Sequence, residues 1–303
     1  MTGAALLIVA ILMVGLGLSL TIGDFRRVGQ YRRTIAVALA CQLLALPVVC
    51  FAIVTVLDLP PVSAMGLMLL SAAPGGPMAG VYSHLFGGDV AFNLTLAAIN
   101  SVLSVVTLPI VTALAVQHFL GRRDGVGLHF SEVLTVMGVV LVPIALGMLV
   151  RAKAPRLAAR AEPVFRVVAV VALVALIASG FGLYFDLLVE SVGTVLPAAV
   201  LFATASLATG YLAGRLTRAP HRVAVAACME IGFHNAAIAI SIAAGLLNSF
   251  AMTIPPSIYG LTILVLAAVA GLLVRRLSRP ASAGPASARP APSPPAPNPE
   301  GPP

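Results

Sequence analysis

Runs of 18 or more mostly apolar residues recur along this chain, parted by short polar stretches that carry Arg, Gly and Pro. A hydrocarbon core about 30 Å thick is crossed by roughly 20 helical residues. The runs therefore predict nine transmembrane helices, over 3–23, 34–57, 62–86, 89–119, 131–150, 164–186, 192–214, 221–247 and 254–274. The first run has no basic residue before it and no small-residue cleavage pattern behind it, so it is expected to be a permanent helix rather than a removable leader. Beyond 280 the sequence turns to Pro, Ala and Ser, with nothing apolar to bury, and predicts a disordered tail.

Composition agrees with lipid as the solvent. Hydrophobic residues make up 60% of the 303, charged residues 9%, and the mean hydropathy is +1.06, beyond what a water-soluble surface tolerates. The net charge of +8 does not mark a nucleic-acid binder, because the basic residues sit in short loops between the runs. Fifteen of the 18 fall on one side of the nine-span layout: around 26–33, 151–160, 215–222 and 275–289. Retention of Lys and Arg in the cytoplasm then predicts a plasma (inner) membrane protein with its N-terminus outside and its C-terminal tail inside. Cys41, Cys50 and Cys228 lie within apolar runs without C-x-x-C spacing, which argues against a disulfide framework or a zinc site.

Two runs are interrupted. Pro74-Gly75-Gly76-Pro77 cuts the third near its middle, removing backbone donors and loosening the helix between them. A single proline would read as a kink, whereas P-G-G-P predicts two half-helices, tolerated at membrane depth only where protein or a watery cavity surrounds the backbone. The eighth run contains Glu230-Ile231-Gly232-Phe233-His234-Asn235, and Glu230 is the one acid placed deep inside a span. Burying a carboxylate at a helix centre costs about 2.5–3.5 kcal/mol, so it is a functional candidate, with a protonated glutamate gluing two helices as the bland alternative. His234 follows Glu230 by four residues, which on a continuous helix lets the two side chains meet and share a proton. Gln42, five residues before Pro47, must find an interior partner. Asn93 and Asn100 share a face of the fourth span and fit helix-to-helix hydrogen bonding. Interrupted segments in corresponding parts of two halves point to a transporter's binding site. Spans three and eight are five apart, the odd offset of an inverted repeat. The chain divides accordingly into a first repeat (1–120, four spans), a second part (121–279, five spans) and the tail (280–303).

In this order and spacing the motifs resemble the bile acid:sodium symporter family. They are Gly17-Leu18-Ser19-Leu20 with Asp24-Phe25-Arg26-Arg27, Ala73-Pro74-Gly75-Gly76, Gly88-Asp89-Val90-Ala91, the 230–235 segment, and Ile254-Pro255 with Ile258-Tyr259. The resemblance implies an all-α transporter with panel and core domains and two discontinuous helices crossing near the midplane. It implies a small organic anion as substrate, sodium as the coupling ion and alternating access; no other cofactor is expected, and the expected partners are the substrate and the lipid bilayer, not nucleic acid. In the family a Ser-Asn pair after P-G-G and a Ser and Thr on the next helix ligate a first sodium. Here those positions are Ala79, Gly80, Asn93 and Ala97, so that site is expected to be lost. The second site matches better, through Glu230, the carbonyls of Ile231 and Phe233, and Gln42. The family's glutamine there is His234, a poor sodium ligand, leaving either a weakened sodium site or proton exchange on His234 and Glu230. The half-helix N-termini, around Gly76, Pro77, Met78 and Asn235, carry partial positive charge and are expected to offer free N–H groups to an anionic substrate.

Rival classes fit less well. No His-Glu-x-x-His or Gly-x-Ser-x-Gly pattern marks an intramembrane enzyme, and no ring of charge or repeated filter marks a channel. A receptor or scaffold with a degenerate transporter fold is the remaining alternative.

Overall fold

The structure is a computed structural model that describes residues 31–76, 78–121 and 146–277, with isolated positions 11, 14, 15, 18, 29, 142 and 143. Most of the first and of the fifth predicted spans, Pro77 and the tail lie outside the described residues. Regular structure in what is described is helical, apart from one isolated β-bridge. Helix α1 (Arg32–Val56) leads to two half-helices, α2 (Pro61–Ala72) and α3 (Met78–Leu85), and then to α4 (Val90–Phe119). Helix α5 (Pro155–Leu216) precedes a second pair of half-helices, α6 (His221–Gly232) and α7 (Ala236–Gly245), and then α8 (Ile254–Leu277).

The two quartets share their punctuation. Asp58 and Arg218 end α1 and α5 in the left-handed region, with φ of 47° and 56°. Each stands two residues before a proline, Pro60 or Pro220, that opens a half-helix of 12 residues with its own φ near −50°. Proline suits this place because a helix start has no carbonyl to offer its missing N–H. Each 12-residue half-helix runs into an extended residue, Ala73 or Phe233, and each second half-helix is followed by another left-handed residue, Gly87 (φ 77°) or Asn248 (φ 50°).

Among the described residues, four helical segments are long and apolar enough to cross a membrane: Arg32–Val56, Val90–Phe119, Val189–Leu216 and Ala251–Arg276. Their outward faces are apolar. On α8, Leu261, Val265, Val269 and Leu272 recur at helical spacing and are 70%, 64%, 47% and 55% exposed, the stripe a helix presents to lipid rather than to water. The half-helices α2 and α6 are instead enclosed, and every residue of α6 from Val223 to Gly232 is buried. Helix α6 packs chiefly on α5. Glycines make that approach possible: a Cβ at Gly210 would stand 2.5 Å from the Ala227 carbonyl oxygen, and one at Gly214 2.5 Å from the Ala224 Cα. Small residues four apart are the usual means by which helices pack closely where no hydrophobic effect drives them together.

One element departs from the sequence reading. A connection at 187–191 was expected between the sixth and seventh spans, but α5 continues through it for 62 residues, about 93 Å at 1.5 Å per residue. The stretch Leu187-Leu188-Val189-Glu190-Ser191 holds neither Pro nor Gly to stop a helix. The segment that joins the core is C-terminal, where Val195, Ala198, Ala199, Phe202, Ala203 and Ser206 are buried.

Candidate functional site

Each broken helix alone would leave backbone groups unsatisfied in an apolar interior, and here the two breaks satisfy each other. Gly75 and His234 form an antiparallel bridge. The Gly76 N–H donates to the Phe233 carbonyl at 2.6 Å, and the Asn235 N–H donates to the Pro74 carbonyl at 2.8 Å. Two helix starts, those of α7 and α4, are capped locally: the Asn235 side chain accepts from the Ile238 N–H at 3.2 Å, and the Asp89 side chain accepts from the Phe92 N–H at 3.0 Å. The N–H groups of Gly76 and Asn235 are thus both taken up by the paired breaks. Met78 begins α3 and is 41% exposed, while Gly76 and Asn235 are partly exposed.

Glu230 sits on the last turn of α6, 1% exposed, and neither carboxyl oxygen has a hydrogen-bond partner. It lies directly over Gly75: a Cβ there would collide with Oε1, so the glycine is required by the acid as much as by the turn. Asn93 neighbours the carboxyl from α4. Its Nδ2 donates to the Ala226 carbonyl at 3.2 Å, the helix-to-helix bond expected of it, and a Cβ at Gly80 would lie 3.4 Å from its Oδ1. Gly80 and Asn93 thus face each other with no hydroxyl between them. Asn100 is buried with its Oδ1 unpartnered.

His234 does not meet Glu230. The helix stops at Gly232 and Phe233 is extended (φ −90°, ψ 91°), so the four-residue spacing no longer puts the two on one face. The imidazole turns instead toward α1 and α5. Its Nδ1 lies 3.1 Å from the Gln42 amide nitrogen and its Nε2 3.2 Å from the Ser206 hydroxyl. The ring stacks on Phe202, with centroids 5.0 Å apart and 26° between planes, and meets Tyr259 edge-on at 5.7 Å. The Tyr259 hydroxyl donates to the Gly232 carbonyl at 2.6 Å, occupying the acceptor that the break exposes. Ser206 and Phe202 had no role in the sequence reading, and Tyr259 entered it only through the Ile258-Tyr259 motif.

Gln42 stands in a π-helical turn, Cys41–Ala45. Pro47 supplies the cause: it has no N–H to continue the α-helical ladder, and such bulges are frequent at functional sites. Its Nε2 also donates to the Ala73 carbonyl at 3.4 Å, and its Oε1 is buried without a partner. Three side-chain acceptors, Glu230 Oε1 and Oε2 and Gln42 Oε1, are thus buried and unspent beside the paired breaks. Orphaned oxygens of this kind fit a hard cation, which takes oxygen ligands and leaves nitrogen aside. The Phe233 carbonyl keeps one lone pair beyond its bond to Gly76, and Ile231 is buried beside it.

Two broken helices joined at their breaks over a buried carboxylate give this apolar helical protein a polar centre inside its core. The defining pattern of the sodium bile acid symporter family matches residues 6–191, more than half of the chain, and the chain belongs to that family. Among relatives, a probable sodium/metabolite cotransporter, BASS2, of rice chloroplasts is 28% identical over 77% of this chain. The sodium-dependent transporter YocS of Bacillus subtilis is 25% identical over 77%, and sodium/bile acid cotransporter 4 of mouse is 28% identical over 79%. The matches span 54% of the rice and mouse proteins and 71% of the Bacillus one.

Proposed function

We propose that this protein is a secondary active transporter of a small organic anion, working by alternating access around the paired breaks and driven by one sodium ion at the second of the family's two cation positions. The observation that carries this reading is the buried, unpartnered Glu230 carboxylate over Gly75. An ionised carboxylate without a partner is too costly to keep in an apolar interior unless a cation visits it. Gln42 Oε1 and the carbonyls of Ile231 and Phe233 complete the ligand set. The first position has no comparable set, since Ala79 and Gly80 bring no oxygen to face Asn93.

Sodium is favoured over proton exchange between Glu230 and His234 because the two side chains share no hydrogen bond and both ring nitrogens of His234 are engaged elsewhere. The substrate's place is beside Gly76, Pro77, Met78 and Asn235, where the breaks reach an exposed surface. The names of the relatives, metabolite and bile acid cotransporters, support an organic anion, and the inverted repeat rests on the matched punctuation of the two quartets.

Purified protein in proteoliposomes tests the reading. Organic-anion uptake should rise with an inward sodium gradient at fixed pH and voltage, saturating with sodium at a Hill coefficient near one, and Glu230→Gln should abolish the sodium response. Accumulation that follows a pH gradient and ignores sodium would refute the ion assignment. Saturable binding with no accumulation would instead make the protein a receptor on a transporter fold.

A further inference from the structure

The hydrogen-bond chain around His234 has a direction, and the direction follows from the chemistry of its members. The Gln42 amide nitrogen lies 3.1 Å from His234 Nδ1 and 3.4 Å from the Ala73 carbonyl. An amide nitrogen has two hydrogens, one for each of these acceptors, whereas the flipped amide would set its oxygen against the Ala73 carbonyl oxygen. Nδ1 also lies 3.5 Å from the Ala73 carbonyl oxygen, but a hydrogen placed there would face the nearer Gln42 amide nitrogen, itself a donor, at 3.1 Å. Nδ1 therefore accepts, and the one hydrogen of a neutral imidazole stands on Nε2, donating to Ser206 Oγ at 3.2 Å. Ser206 passes its own hydrogen on, either to the carbonyl one turn back on α5 or to the Tyr259 oxygen beside it. Gln42, Ser206, His234 and Tyr259 are 3%, 0%, 4% and 0% exposed, so bulk water has no access to satisfy a misplaced hydrogen. The same logic explains the loose end of the chain: with its nitrogen committed to His234 and Ala73, the Gln42 amide must leave Oε1 unpartnered.

We propose that Ser206 is a positioning residue for the cation site: by accepting from Nε2 it holds His234 in one tautomer, which orients the Gln42 amide so that Oε1 stays available to the ion. This inference rests on the sodium reading above. Without the Ser206 hydroxyl, the Nε2 hydrogen would be orphaned in an apolar pocket, and the ring would move its hydrogen to Nδ1. The Gln42 amide must then flip to accept from Nδ1, and its oxygen is lost to the ion. Tyr259 acts beside it by holding the Gly232 carbonyl, which keeps α6 ended where His234 can turn toward α5. Nothing in a merely space-filling role for Ser206 would move a hydrogen between ring nitrogens.

The test reads the ring directly. The five histidines are labelled with nitrogen-15, and loss of one pair of ring signals in His234→Gln assigns those of His234. Wild type should show a neutral ring with its hydrogen on Nε2. Ser206→Ala should move it to Nδ1, and Ser206→Thr should keep it on Nε2. A sodium titration followed by melting temperature runs alongside. Ser206→Ala should raise the half-saturating sodium about tenfold, equivalent to about 1.4 kcal/mol, with Ser206→Thr close to wild type. A hydrogen on Nδ1 in wild type, or one unmoved by Ser206→Ala, overturns the proposal. If the alanine variant does not fold, the wild-type spectrum alone decides between the two tautomers. A wild-type protein that sodium does not stabilise overturns the ion assignment instead, and the ring signals still decide the role of Ser206.

Discussion

Replacing Gly75 with alanine puts a methyl group where Oε1 of Glu230 now lies. The carboxyl cannot swing into solvent, because Glu230 is 1% exposed and α6 is buried from Val223 to Gly232. Forcing an extra methyl into a closed interior typically costs about 1–3 kcal/mol, and Gly75→Ala is expected to lose that much. Gly76→Ala is the control one residue on: its Cβ would stand 3.4 Å from the His234 carbonyl oxygen, a contact relieved by a few tenths of an ångström, with a cost below about 1 kcal/mol. The decisive measurement is a double-mutant cycle of Gly75→Ala with Glu230→Ala, read by reversible unfolding in mixed micelles. If carboxylate and glycine share one space, Glu230→Ala makes room for the methyl, and the double variant is more stable than the sum of the singles by at least about 1 kcal/mol. Additivity within about 0.5 kcal/mol, the behaviour of sites that do not touch, would refute the placement of Glu230 over the break and the cation site built on it.

Other expectations follow from the same geometry. Gly210→Val and Gly214→Val should each lower the melting temperature sharply, at a cost above about 3 kcal/mol, because rigid backbone of α6 opposes the new atoms, whereas Gly193→Val, with nothing within 4 Å of its Cβ, should change it little. Asn235→Ala should lose the cap of α7 and about 1 kcal/mol, with Asn235→Asp restoring it; equal losses in both would show that the cap is not the cause. The sequence reading puts the basic residues of 151–160 and 215–222 on one side of the membrane, whereas the unbroken α5 holds Arg160 and Arg215 about 80 Å apart. In a cysteine-free background, Arg160→Cys and Arg215→Cys should therefore differ in their reaction with an impermeant maleimide outside intact cells, and equal protection of both would show that the chain reverses near Glu190 instead.

Features that break a rule of membrane helices were legible in the sequence, and those that obey the rules were not. Pro74-Gly75-Gly76-Pro77 and Glu230 stand out because prolines, paired glycines and a carboxylate are each costly inside a span, and the structure brings Gly75 and Glu230 together. Gln42 stood out for the same reason, though its π-helical turn needed the structure. Ser206 did not, because a serine in an apolar helix normally bonds its own backbone and leaves no trace of a distant partner. Gly210 and Gly214 carried a readable small-residue spacing whose meaning depends on which helix lies opposite. The pairing of Glu230 with His234 failed for a definable reason: counting four residues assumes an unbroken helix, and the break that makes the site falls between them. At 187–191 the polar interruption was too mild to end a helix.

The joint between the two breaks is made by main-chain N–H and C=O groups of Gly76, Phe233, Pro74 and Asn235. Such a seam is indifferent to what hangs from most of its residues. Side chains around it can be exchanged over evolutionary time, a glutamine for His234 or a serine and an asparagine for Ala79 and Gly80, without unfastening the crossing itself. One scaffold could in this way be retuned in how many ions it carries and which solute it admits, while the strap that holds its two halves together stays the same.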